Sequence, residues 1–341
     1  MTFPKFENSF SRLSNLSKIK NLTTRKTGGM VLFLFIIQFL TGMVLSFYYI
    51  PYFEQAHKSI LDIVTKLNMG WFFRSLHHWG AQLIMAILFI HTFSVLLTKS
   101  YKKPKHFLWY SGFILLGISF FFCLSGYLLV WDERAFAAVK IVTSGAGKLP
   151  FVGTFIKYFL RGGIDVTGET LTRFHAFHVS ILPVIVLFLI CIHIFLLKYR
   201  IAGIPLSFKK ITHQEPFLPY RFYQYLIICL FVTGIAVTMA TLFPPETGKK
   251  AEMLAPPPEH IKPEWYFLFL FQTLKSFPGE ILGFNGEIMA VNFVFLTIIF
   301  LFFIPYFENK FGQGRKKITF TWIGIVYTMY FIIMTIFGFL N

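Results

Sequence analysis

Long apolar runs alternate with polar segments along the whole chain, at about 29–50, 74–97, 107–129, 174–197, 222–243, 287–307 and 318–340. Each approaches the roughly 20 residues a helix needs to cross a hydrocarbon core about 30 Å thick. The pattern predicts an all-α, polytopic membrane protein with seven transmembrane helices. Most connections are short, but those at 130–173 and 244–286 are long, and long ordered loops usually carry function. Within the first, Glu133–Val142 and Val152–Leu160 read as short helices lying on the membrane surface. The stretch Pro205–Pro219 divides the chain into a four-helix part, 1–204, and a three-helix part, 205–341.

Composition agrees with that class. Of 341 residues, 55% are hydrophobic and only 14% charged, far from a soluble average. A net charge of +17 would suggest nucleic acid in a soluble protein. Here its distribution sets topology instead. The N-terminus and the connections after the second, fourth and sixth spans hold 19 of the 32 Lys and Arg, four of them in the loop Lys99, Lys102, Lys103, Lys105. Positive charge stays inside, which predicts a cytoplasmic N-terminus, an outer C-terminus and some attraction for anionic lipid. Residues 1–28 are polar and the first apolar run is long, so a retained span is expected rather than a cleaved signal peptide. Cys123, Cys191 and Cys229 all fall within spans and form no metal or c-type attachment spacing. They read as small packing residues.

Chemistry enters with the histidines. His77 and His91 are 14 residues apart in the second span, and His178 and His193 are 15 apart in the fourth. At about 1.5 Å and 100° per residue, each pair rises roughly 21–22 Å and returns to nearly the same helix face. Two such helices facing one another present imidazoles at two matched depths, each able to hold one iron between two rings. His78 lies about 220° from His91, and His175 needs about 27 Å to reach His193, so both are disfavoured. A lone histidine in an apolar helix is more often a hydrogen-bonded core residue. Two matched pairs are different, because ionisable groups inside membrane helices are costly and usually functional.

Glycines repeat the interval: Gly28 and Gly42 in the first span, Gly112 and Gly126 in the third. Without a side chain, each lets the edge of a flat macrocycle approach the backbone. Close helix packing would explain either pair alone. The shared spacing favours two stacked b-type hemes.

The second long loop contains Pro263-Glu264-Trp265-Tyr266, and the third span ends in Gly126-Tyr127-Leu128-Leu129-Val130-Trp131-Asp132, followed by Ala138 to Thr143. Leu171-Thr172-Arg173-Phe174 precedes His178, and Arg74 precedes His77 by three residues. With the histidine pairs, this ordered set resembles the cytochrome b/b6 family over nearly the whole chain. The 15-residue interval and the absence of an eighth span resemble the chloroplast-type branch, with its two separate polypeptides, b6 and subunit IV, fused into one.

The resemblance implies a quinol-oxidising subunit of a Rieske-type bc complex, a quinol–cytochrome c reductase-type enzyme that is not active alone. His77 and His178 would hold the outer heme, His91 and His193 the inner one, and Arg74 and Arg173 would pair with propionates. Pro263, Glu264, Trp265 and Tyr266 would form the outer quinol site, with Glu264 accepting a quinol proton and Tyr127 a weaker candidate beside it. A glutamate after Pro263 could instead simply cap a helix. Lys198 and Arg200 are candidates for the inner quinone site, to bind a quinone oxygen or a propionate, with inside-facing charge alone as the alternative. The branch's covalent third heme hangs on a cysteine where this chain has Lys26, so no such heme is expected. Implied partners are a Rieske iron–sulfur protein, a c-type cytochrome or equivalent acceptor, membrane quinone and a second copy of the chain, in a bacterial-type energy-conserving membrane. A diheme, quinone-reactive anchor of a dehydrogenase or hydrogenase is the competing reading, which would leave the Glu264 loop without a role.

Overall fold

The computed structural model describes residues 7–201, 220–252, 262–311 and 317–340. Helix α1 (Glu7–Ser46) carries a first apolar span at Lys26–Ser46. A short α2 (Ala56–Lys66) turns sharply into α3 (Gly70–Leu97). That corner requires glycine, since a Cβ on Gly70 would lie 2.0 Å from the Ile63 carbonyl oxygen. Helix α4 (His106–Leu128) packs along α8 (Leu182–Ile201), while α1 packs along α3. These four long helices make the bundle.

The first long loop folds into α5 (Glu133–Ala146), α6 (Gly153–Arg161) and α7 (Gly168–Ala176). Asp132 caps α5 by accepting from the Ala135 N–H at 2.8 Å, which is why an acid stands one residue ahead of the helix. Arg161 is 2% exposed and ties the loop together. It donates to Thr143 Oγ1 at 2.7 Å, Ser144 Oγ at 2.8 Å and the Lys140 and Ile164 carbonyls at 2.9 and 2.8 Å. Burial lowers the proton affinity of its guanidinium, with Asp165 partly opposing.

Between α7 and α8 the helix passes through one π-helical turn, Phe177–Ile181, where the Leu182 N–H bonds to the Phe177 carbonyl five residues back. A π turn holds one residue more than an α turn. The 15-residue interval from His178 to His193 therefore does the geometric work of 14.

The C-terminal part contains α9 (Tyr220–Leu242), α10 (Trp265–Lys275), a two-residue hairpin of β1 (Glu280–Ile281) and β2 (Phe284–Asn285), α11 (Gly286–Phe302), α12 (Ile304–Phe311) and α13 (Lys317–Leu340). Leu282 and Gly283 both take positive φ, as a tight hairpin turn requires. The expected span at 287–307 is broken. Helices α11 and α12 meet at 62°, and Trp109 Nε1 lies 3.1 Å from both the Leu301 and Phe302 carbonyl oxygens at the break. Six straight candidate spans plus this bent one make up to seven among the described residues.

The two parts meet along α3, which packs against α9. Ser75 Oγ donates to the Ala240 carbonyl at 2.7 Å and Trp79 Nε1 to the Phe243 carbonyl at 2.7 Å. The dividing stretch 205–219 lies outside the described residues.

Candidate functional site

The four glycines and four histidines come together pairwise across neighbouring helices. A Cβ built on Gly28 would stand 3.5 Å from His91 Cε1, on Gly42 3.0 Å from His77 Cε1, on Gly112 3.2 Å from His193 Cε1, and on Gly126 2.6 Å from His178 Cε1. Each glycine thus faces one imidazole edge. The 14-residue glycine interval on α1 and α4 mirrors the histidine interval on α3 and α8.

Each glycine is preceded by a hydroxyl residue that meets the same ring. Thr27 and Thr41 lie 2.9 Å from Nδ1 of His91 and His77, Ser111 2.8 Å from Nδ1 of His193, and Ser125 2.9 Å from Nδ1 of His178. Three of the hydroxyls have committed their own proton to the helix behind them. Thr41 donates to the Ile37 carbonyl at 2.8 Å, Ser111 to Leu108 at 3.1 Å and Ser125 to Phe122 at 2.9 Å. In these contacts the oxygen must accept, so Nδ1 carries the hydrogen and Nε2 keeps a free lone pair. Such bonding fixes the tautomer and raises ligand basicity. Sequence reasoning missed these residues although the dipeptides Thr-Gly and Ser-Gly stand in plain view.

The rings of His77 and His178 are 6.3 Å apart at their centres and inclined at 78°. A metal–imidazole bond of about 2 Å plus about 1.1 Å from nitrogen to ring centre, taken on both sides of one metal, sums to about 6.2 Å, close to that separation. Among the described residues no three His, Cys, Asp or Glu gather around a metal position. Two imidazoles supply only two ligands, which suits a metal whose other ligands come from a macrocycle. The residues fit b-type heme. His193 and His91 are also near enough to interact electrostatically.

The outer pair opens into a cavity of about 660 Å³ that is lined by Gly42, Gly126, His77 and His178, and equally by Arg74, Tyr127, Glu264 and Tyr266. Arg74 Nη1 donates to the Pro245 carbonyl at 2.6 Å and Nη2 to that of Glu246 at 3.2 Å, so the cation at the cavity wall also holds the second long loop. Arg173 is exposed and donates to the Phe159 carbonyl at 2.7 Å; it does not line this cavity.

Glu264 stands at the N-cap position of α10, but its side chain makes no capping bond. Its Oε2 accepts instead from Gln82 Nε2 at 2.8 Å, and Gln82 Oε1 accepts from Trp265 Nε1–H at 2.7 Å. Pro263 lies immediately before it, half-buried. Tyr266 is 4% exposed and bonds Cys123. Burial pushes its phenol well above the usual range, with Cys123 and Glu264 adding to the shift, so it is a neutral donor. His78, set aside as an iron ligand, turns toward Gln82 and lines the same cavity. Lys198 is exposed, and the side chain of Arg200 lies outside the described residues.

Residues 14–201 match the family model described as Cytochrome b/b6/petB, and residues 250–341 match that described as Cytochrome b(C-terminal)/b6/petD. The chain belongs to the cytochrome b/b6 family. It is 37% identical over 314 residues to a "Cytochrome bc complex cytochrome b subunit" of Chlorobaculum thiosulfatiphilum, covering 90% of this chain and 72% of that one. It is 40% identical over 177 residues to "Cytochrome b6" of Acaryochloris marina (strain MBIC 11017), covering 52% of this chain and 82% of the relative. A solved structure titled "Hyperthermophilic respiratory Complex III" superposes with a TM-score of 0.77 at 26% identity, covering 92% of this chain and 83% of that one. The b6-like and subunit IV-like regions are therefore joined in one polypeptide, as the sequence resemblance implied. With the family come its b-type hemes and its function, that of a cytochrome b subunit in a bc-type oxidoreductase that oxidises quinol and transfers electrons through them.

Proposed function

We propose that the Glu264 end of the 660 Å³ cavity, beside the space a heme held by His77 and His178 would fill, is the quinol-oxidation site on the outer side, with Glu264 as proton acceptor and Tyr127 and Tyr266 in its wall. The observation that carries this reading is the continuity of one cavity from the His77/His178 pair to the Glu264 carboxylate. A quinol there lies close to both an electron acceptor and a proton acceptor, as coupled removal of both demands.

His77 and His178 would hold one b heme, and His91 and His193 a second, through Nε2; Arg74 and Arg173 are the propionate candidates. Bound heme supplies one-electron redox chemistry at two depths. No covalent third heme is expected, since Lys26 stands in the cysteine's place. One quinol electron goes to a Rieske iron–sulfur partner and on to a c-type cytochrome or equivalent acceptor. The other crosses to an inner quinone site, for which Lys198 and Arg200 are candidates. Protons leave outside and enter inside. The orientation is N-terminus cytoplasmic and C-terminus outside, in a homodimer with anionic lipid at the basic inner loops. The functional parts divide near residue 204.

Replacing Glu264 with Gln removes the proton-accepting carboxylate but keeps its size. Quinol oxidation should slow by at least tenfold, with the spectra of both hemes unchanged. Unaltered turnover in that variant would remove Glu264 from the reaction.

A further inference from the structure

Gln82 is an amide within an apolar membrane helix and is only 8% exposed. An amide in such a place is costly unless both of its ends are bonded. Both are. An indole N–H can only donate, so the atom 2.7 Å from Trp265 Nε1 must be the amide oxygen. The NH2 group is thereby turned toward Glu264, where it donates to Oε2 at 2.8 Å. Trp265 thus sets the sense of the amide, and the amide sets the carboxylate.

The helix geometry reinforces the arrangement. Glu264 sits at the N-cap, where an acid ordinarily bonds an N–H of the first turn of α10, yet its side chain makes no such bond. Gln82 lies on α3, one turn beyond His78 and on the same face. It holds the carboxylate away from the α10 terminus and against the wall of the cavity that His77 and His178 share. Trp265 is itself packed against Phe89, which stands on α3 two turns beyond Gln82.

We propose that Gln82 is a positioning residue for quinol oxidation, orienting the Glu264 carboxylate toward the substrate while Trp265 locks the amide. This rests on the reading of Glu264 as proton acceptor. Gln82 does not touch the reacting atoms. Its loss lets the carboxylate rotate toward the α10 N-terminus, leaving quinol binding intact and the proton transfer misaligned.

The test is steady-state quinol oxidation by the intact complex carrying Gln82→Met, which keeps length and removes both polar ends. The expected result is a kcat about tenfold lower with KM for quinol within about twofold, and unchanged spectra for both hemes. Combining Gln82→Met with Glu264→Gln should cost no more than Glu264→Gln alone, because both act on one group. An unchanged kcat, a loss confined to KM, or additive losses in the double variant would overturn the proposal. If Glu264→Gln is itself without effect, the proton-acceptor reading falls first and separately. Should Gln82→Met fail to assemble, Trp265→Phe releases the amide with little change in packing. A several-fold fall in kcat at constant KM is expected there, and none would overturn the proposal equally.

Discussion

A methyl group on Gly126 would stand 2.6 Å from Cε1 of His178, closer than side-chain carbons pack. The imidazole cannot swing aside, because Ser125, the neighbouring residue, holds its Nδ1 at 2.9 Å. Glycine and histidine therefore form one unit across two helices.

Alanine at the four glycines should consequently give a graded series. Gly126→Ala is expected to be most harmful, Gly42→Ala and Gly112→Ala intermediate, and Gly28→Ala, at an ordinary 3.5 Å, nearly silent. Forced overpacking costs about 1–3 kcal/mol, enough to lower heme retention about fivefold or more. Pyridine hemochrome assay after acid–acetone extraction reads it directly, with two extractable hemes per polypeptide expected in the unaltered chain. A flat response across the series would contradict the close-approach argument.

Ser125→Ala removes the acceptor for Nδ1–H of His178 without adding bulk. Loss of such an outer hydrogen bond commonly weakens metal binding about 10- to 100-fold. The outer heme should become more easily lost, and its midpoint potential should move while the inner one stays, as followed by redox titration of the two α bands.

Arg161→Met leaves four acceptors, among them the Lys140 and Ile164 carbonyls, without their donor. A buried unsatisfied group costs about 1–3 kcal/mol. The 130–173 loop should become sensitive to protease and quinol oxidation should fall, with the inner heme retained. Protection equal to the parent would show that the guanidinium is dispensable.

The histidine and glycine intervals were legible in the sequence because a helix converts counting into direction, and their partners repeat on the same count. Gln82 was not, since its bond to Glu264 joins residues 182 positions apart and only folding brings them together. The Glu264 reading left two roles open, and the absent capping bond weighs against the bland one. The bend between α11 and α12 was hidden as well. Residues 287–307 read as one continuous apolar run, and nothing local signals that Trp109, nearly two hundred positions earlier, accommodates a break there. The dipeptides before the histidine-facing positions were visible but were counted only for their glycines.

The bent span carries its own expectation. Glu308 on α12 is 5% exposed and lies 3.1 Å from Lys99 Nζ and 2.9 Å from Lys102 Nζ. Glu308→Gln removes the charge facing Lys99, which is itself only 14% exposed. Breaking a buried pair in this way costs about 3–5 kcal/mol, less where Lys102 regains water. Hydrogen exchange should quicken at 98–105 and 304–311 while the heme-bundle helices keep their protection. Uniform exchange in both proteins would mean that the pair does not dock α12.

The π turn at Phe177–Ile181 separates the number of residues between His178 and His193 from the distance between them. A one-residue insertion there is absorbed within a single turn and does not travel down α8 to tilt His193 out of line. A chain whose fourth span counted one residue fewer could build the same histidine geometry with an uninterrupted α-helix. A length difference that looks like a frameshift of the ligand face when two such sequences are aligned is, in three dimensions, a local loop of slack.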